Sequence, residues 1–154
     1  MAVGQHGLMG KQNVYEHSVG VPLMIKAAAQ HTGKKTADLC YLIDVFPTLC
    51  DMLQLPVPQS VDGISLLSSL DGKEPVRDYL YYSYMDNQRG ISDGTWKLIE
   101  YHVNGKRTTQ LFNLKNDPWE RNDLSGQKKY EKTIQRLREK MAEEQKRTND
   151  TSVF

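Results

Sequence analysis

Lys11 is the residue whose type and setting most suggest chemistry. It stands in a segment rich in glycine and polar side chains, with Gly4, Gly7 and Gly10 before it and Gln12, Asn13, Tyr15, Glu16, His17 and Ser18 after it. An ammonium is a compact cation with three donors, suited to touching several oxygens of one anion. Flanking glycines let the backbone approach a small ligand. A cation fixed there would stabilise negative charge on a small anion; the plain alternative is a solvated surface lysine. His6, in the same loop, can donate to a leaving oxygen or to a substrate, or be an ordinary loop histidine. Tyr15 and Glu16 suit an aromatic anchor and a carboxylate that fixes the loop, and nothing separates His17 from a surface residue. Farther on, Gln88-Arg89 offers a guanidinium that could pair with an anionic group, against a hairpin loop with solvated polar groups.

Loops of this kind carry function when a scaffold positions them. Val21–Lys26 is a short apolar run with Pro22 near its start and reads as a buried strand, residues 27–37 read as a loop, and Leu39–Leu42 reads as a second strand. A helix follows, with Asp44 as its cap and Pro47 in its first turn. Phe46, Leu49, Cys50 and Leu53 share one face of it, and Pro56 and Pro58 end it. Asp62-Gly63 reads as a turn, and Ile64, Leu66, Leu67 and Leu70 as a short apolar helix closed by Asp71-Gly72. Beyond residue 75 the character changes. Tyr79–Tyr84, a strand from Gly90, Trp96–Tyr101 and Gln110–Leu114 read as antiparallel strands, with hairpin signals at Asp93-Gly94 and Asn104-Gly105. The tyrosines alternate across their strand, which favours sheet packing over sugar stacking. A final helix is expected over about 127–147, with Tyr130, Ile134, Leu137 and Met141 as its apolar stripe and a solvated, ion-paired outer face.

The chain has 154 residues, enough for a real core, and 38% are hydrophobic. Its 20 basic and 19 acidic residues leave a net charge of +1, without the concentrated basic face of a nucleic-acid binder. No apolar run approaches the ~20 residues of a membrane span. The start of the chain lacks the pattern of a secretory signal. Cys40 and Cys50, both in apolar surroundings, read as buried free thiols rather than a metal pair or disulfide.

Four ordered segments resemble the type I sulfatases of the alkaline phosphatase superfamily. They are His6-Gly7-Leu8-Met9-Gly10-Lys11-Gln12-Asn13-Val14-Tyr15-Glu16 with Val21-Pro22-Leu23-Met24-Ile25; Asp44-Val45-Phe46-Pro47-Thr48-Leu49-Cys50-Asp51; Val61-Asp62-Gly63-Ile64-Ser65-Leu66-Leu67; and Trp96-Lys97-Leu98-Ile99 with Gln110–Glu120 and Asn122-Asp123-Leu124. The resemblance runs from about residue 4 to the final helix. It implies an α/β fold: the C-terminal end of an alkaline phosphatase-like core over 1–75, then a small α+β subdomain over 76–154 with an antiparallel sheet packed on a long helix.

The resemblance also implies a chemistry. The family hydrolyses sulfate esters with a hydrated formylglycine nucleophile and Ca²⁺. By similarity Lys11 would contact the sulfate, His6 would lie near the catalytic pocket, and Gln88 and Arg89 would face a sulfated small molecule or sugar. The Cys-x-Pro-Ser-Arg motif is absent, as are the early Asp-Asp pair and the Asp-His/Asn-Gly metal motif. The chain is therefore expected to be a C-terminal piece without the nucleophile, holding no metal set of its own and inactive alone. The missing N-terminal half is an expected partner. Intact relatives are often secreted, periplasmic or lysosomal, and the chain itself does not indicate a location. Two alternatives stand beside this: part of a related phosphate or phosphonate ester hydrolase, which presents the same tetrahedral anion, or a non-catalytic module that associates with another chain.

Overall fold

A computed structural model of the chain describes residues 1–26, 33 and 35–152. In chain order its elements are β1 (Ala2–Val3), β2 (Met9–Gly10), α1 (Glu16–Val19), α2 (Val45–Met52), α3 (Leu67–Leu70), β3 (Leu80–Tyr84), β4 (Gln88–Ser92), β5 (Trp96–Val103), β6 (Lys106–Asn113) and α4 (Glu131–Arg147). Two compact units result. One joins residues 1–22 to 81–154, and the other spans Leu23–Leu80. The expected division near residue 75 thus has a neighbouring break at Leu80. The first 22 residues, however, group with the C-terminal sheet, because Val14 and Tyr15 share a core with Ile99 and Phe112.

In the first unit, β3-β4-β5-β6 form one sheet in chain order. Antiparallel register sets Ile91 against Leu98, Leu98 against Leu111 and Val103 against Lys106. That last pair leaves Asn104-Gly105 as a two-residue loop. Asn104 has φ 51° and Gly105 φ 73°, the left-handed pair that matches strand twist. Helix α4 packs over β4 and β5, burying Ile134, Leu137 and Met141 as its spacing predicts. Its Arg138 reaches Glu100 of β5 at 2.7 Å and its Arg136 reaches Asp93 at 2.7 Å. The outer face carries the expected helical pairs, such as Lys140–Glu143.

The second unit departs from expectation more. Neither Val21–Lys26 nor Leu39–Leu42 is a strand, and among the described residues neither run has a neighbour to complete its hydrogen-bond ladder. Of the loop expected over 27–37, residues 27–32 and 34 lie outside the described residues. Asp44 is not a side-chain cap for α2. It closes the preceding turn Leu42–Asp44 instead, accepting the Tyr41 N–H at 2.7 Å, and also accepts from Ile64 N and from Arg77. The tight turn falls at Gln59–Ser60, not at Asp62-Gly63. A Cβ at Gly63 would lie 2.2 Å from the Ile43 carbonyl oxygen, so close approach is what needs glycine there. The stripe on α2 is only partly covered: Cys50 is buried, yet Phe46 is 52% and Leu53 67% exposed. Both cysteines are free; Cys50 is buried and Cys40 half-buried.

Candidate functional site

The N-terminal loop is a small hairpin. Ala2 pairs with Gly10 and Val3 with Met9, and a turn over Gln5–Gly7 forms the tip. His6 itself is left-handed, φ 54° and ψ 23°. Non-glycine residues reach that region seldom, and such strain concentrates at functional sites. Gly10, at φ 98°, turns the chain out of β2 directly before Lys11. Lys11 is exposed, and its ammonium has no hydrogen-bond or ion-pair partner among the described residues.

The segment after Lys11 is firmly held. Tyr15 is buried, donates its hydroxyl to Gln110 Oε1 at 2.7 Å and meets Phe112 edge-on at 6.0 Å. The Glu16 N–H donates to Glu120 Oε2 at 2.6 Å, and Glu16 Oε1 accepts from Lys97 Nζ at 2.8 Å. Lys97 is 0% exposed and lies 5.0 Å from the Tyr82 ring centroid. Its Nζ also stands 3.1 Å from Glu120 Oε1, close enough for an ion pair but without hydrogen-bond alignment; that oxygen has no hydrogen-bond partner among the described residues. Burial pushes the Glu120 carboxyl above its ordinary range, with the Lys97 charge acting against the rise. Sequence reading assigned Tyr15 and Glu16 their anchoring roles and missed Lys97 and Glu120. The signal was a lysine within the apolar run Trp96–Ile99, where a charge needs buried partners.

His6 stacks on Tyr15 at 4.1 Å with planes 3° apart, and His17 lies 5.6 Å from His6. His6 Nε2 is 3.1 Å from the Trp119 carbonyl oxygen. A carbonyl only accepts, so Nε2 carries the proton and Nδ1 is the ring's remaining polar atom. His17 Nε2 is buried without a hydrogen-bond partner among the described residues. Burial, then the neighbouring His6, lowers the His17 pKa, which keeps it neutral at pH 7. These rings, with Gln5 and the loop from Pro118 to Arg121, line a cleft of about 470 Å³. Lys11 is not among its lining residues.

Arg89 does not face such a cleft. It is 3% exposed, and its five donors are all engaged. Nε and Nη2 bind the Asp150 carboxylate, Nη2 also Ser152 Oγ, and Nη1 the carbonyls of Met85 and Gln88. That geometry counts against the expected contact with substrate and makes Arg89 an anchor for the segment after α4. Gln88 is half-buried on the same strand, and its Oε1 is buried without a partner among the described residues. Among the described residues no group of three or more His, Cys, Asp or Glu side chains could hold a metal ion. The Ca²⁺ implied by the resemblance therefore does not fit a site formed by them. No helix among the described residues is long and apolar enough to cross a membrane.

Comparison with known proteins places this geometry in context. Residues 4–147 match the family described as N-sulphoglucosamine sulphohydrolase, C-terminal. The chain is 29% identical over 161 aligned positions to an N-acetylglucosamine-6-O-sulfatase of Bacteroides thetaiotaomicron, covering 96% of the chain and 29% of that protein. It is 26% identical to human arylsulfatase K, covering 74% of the chain and 24% of the relative. The solved structure of BT4656 in complex with its substrate D-glucosamine-2-N,6-O-disulfate superposes with a TM-score of 0.61 at 29% identity, over 70% of the chain and 24% of that structure. The chain thus spans less than a third of the length of these relatives.

Proposed function

The chain belongs to the sulfatases, whose C-terminal part it matches, and from that membership we propose that it serves a sulfuric ester hydrolase by presenting Lys11 to the sulfate. One observation carries this reading. Lys11 is an exposed ammonium without an internal partner, at the foot of a hairpin whose continuation is pinned by Tyr15 and Glu16. In sulfate ester cleavage the sulfur–oxygen bond to the leaving group breaks, and negative charge grows on the nonbridging and leaving oxygens. A held ammonium stabilises that charge as it forms. His6, its Nε2–H fixed on the Trp119 carbonyl, keeps Nδ1 for a proton or a substrate hydroxyl. Any Ca²⁺ in the whole enzyme would supply Lewis-acid stabilisation from ligands other than the described residues.

The uncovered surface of α2 supports a further part of this reading. Phe46 and Leu49 of α2, Leu42 and Ile43 of the turn before it and Leu53 directly after it are all exposed, and exposed apolar side chains gathered in one region mark interaction surfaces. Its occupant is the remainder of a full-length sulfatase, since the chain spans only 29% of the Bacteroides relative. On this view the division expected near residue 75 separates the α/β core of that enzyme from its small subdomain, with residues 1–22 packed on the subdomain's sheet.

The lysine reading is tested by titrating the isotope-labelled chain with 4-nitrophenyl sulfate. Saturable shifts of the Lys11 side-chain and amide signals are expected, abolished in Lys11→Ala. A flat Lys11 response, with or without shifts elsewhere, would remove the lysine from the sulfate site.

A further inference from the structure

The surroundings of His17 suit a neutral ring and not a charged one. Its Nε2 is buried without a hydrogen-bond partner among the described residues. A neutral imidazole can leave that nitrogen as a bare lone pair. An imidazolium carries N–H on both nitrogens, and would bury a charged donor with nothing to receive it. The neighbours do not supply the missing anion. On the hairpin side stands His6, 5.6 Å away, and the Tyr15 ring lies at 5.7 Å. The Met1 ammonium donates to the His17 carbonyl, and Lys97 of β5 acts on the ring as a further positive charge. The carboxylates of the cluster are engaged by that lysine: Glu16 Oε1 accepts from it and Glu120 Oε1 stands 3.1 Å from it. Arg121 lines the same cleft, with Asp117 as its electrostatic neighbour.

The hairpin is the part of this cluster that can give way. Its tip rests on the unit through His6, stacked on Tyr15 at 4.1 Å and bonded to the Trp119 carbonyl, with Leu8 adding a partly buried apolar contact. Gly10, at φ 98°, offers a hinge between β2 and Lys11. The chain beyond stays pinned by Tyr15 and Glu16. His6 is a poor trigger, because its Nε2 already carries the proton given to Trp119 and a second proton on Nδ1 leaves that bond intact. Lifting the hairpin would take His6 away from His17 and let water reach Nε2.

We propose that His17 is the trigger of an acid-operated latch: the neutral ring lets the hairpin close beside it, and the protonated ring expels the hairpin and loosens the foot on which Lys11 stands. The latch stands on the ring geometry alone, and its consequence for Lys11 rests on the sulfatase reading. Burial, His6, the Met1 ammonium and Lys97 all lower the His17 pKa from its ordinary 6.5. A depressed folded value gives the closed form stability that is full above the ordinary pKa and is lost as pH falls through the folded one. Glu120 acts in the opposite sense, since a carboxyl raised by burial favours the closed form as acid protonates it.

The test is a titration of the isotope-labelled full chain from about pH 7.5 to about pH 5, across the ordinary histidine range. It is read at the His6 and His17 ring signals and at the ring-current shift between His6 and Tyr15. The open population should rise about tenfold per pH unit below about pH 6, the slope of one proton. Trp96, packed against Tyr130 at 5.2 Å in the same unit, should not move. His17→Phe keeps a stacking ring without a titrating nitrogen, and His17→Gln keeps a polar side chain that does not titrate; either should hold the hairpin closed in acid. The proposal is overturned if the His6–Tyr15 contact persists once His17 is protonated, if it is lost while His17 stays neutral, or if a folded His17 variant opens as the native chain does. The same titration with 4-nitrophenyl sulfate present separates the latch from the lysine reading. Lys11 should respond at the upper pH and weaken in acid, and should not weaken in His17→Phe. An acid-opened hairpin with a flat Lys11 at every pH would leave the latch standing and remove the lysine reading. A Lys11 response that is the same with the hairpin closed and open would overturn the latch's control of the site.

Discussion

A lysine with no exposed surface sits between two glutamates, and the candidate site leans on it. Lys97 holds Glu16 and Glu120, and those two carboxylates fix the start of α1 and the loop carrying Trp119. Removing one partner of a buried ionic group leaves the others uncompensated. Lys97→Met should therefore lower stability by about 3–5 kcal/mol in urea unfolding. It should also loosen the stacking of His6 on Tyr15, seen as loss of ring-current shifts; unchanged stability would show that the cluster is solvated. A second ionic core lies in the other unit. Burial alone would raise the Asp44 carboxyl, but the Arg77 hydrogen bond and the Ile64 and Tyr41 N–H groups outweigh it and hold the group below its ordinary 3.8. A depressed folded pKa gives stability that is full above the unfolded value and is lost as pH falls through the folded one. The chain should lose stability below about pH 4. Asp44→Asn should be the weaker protein at neutral pH, by about 3–5 kcal/mol, with the gap closing as acid protonates the native carboxyl. Parallel pH curves for the two proteins would refute this assignment.

At the scale of elements, close contacts of backbone decide more than propensity does. Gly63 has no positive φ to justify it, yet its Cα faces the Ile43 carbonyl and the Pro47 ring. Gly63→Ala should cost about 1–3 kcal/mol, because α2 and the chain entering α3 must move apart. Thermal unfolding of the variant measures this directly, and an unshifted midpoint would mean the contact is slack. The sheet needs no such device, since Asn104-Gly105 supplies a turn of matching twist and the β5–β6 register follows from it.

For the whole molecule, the chain matches the C-terminal part of the sulfatase family and spans less than a third of the relatives' length. It contains no formylglycine motif, and its described residues hold no metal-capable group. The pure chain is predicted to hydrolyse no aryl sulfate, with or without added Ca²⁺. Chromogenic turnover above the background of a Lys11→Ala control is the result that would contradict this.

The sequence alone was enough for the C-terminal sheet and helix. Their alternating strands, Asn104-Gly105 turn and the stripe of Ile134, Leu137 and Met141 are local patterns that read the same in isolation and when folded. It also carried the family, through ordered motifs, and the anchoring roles of Tyr15 and Glu16. Tertiary structure decided the rest. The strands expected at Val21–Lys26 and Leu39–Leu42 needed neighbours that the described residues do not provide, and no local pattern reveals a missing neighbour. Arg89 read as a substrate contact because its donors are fixed only once Asp150, distant in sequence, folds back onto them. Lys97, Glu120 and the Trp119 cleft became visible the same way. Burial and ion pairing are properties of segments brought together by the fold, and they leave no periodicity in any one of them.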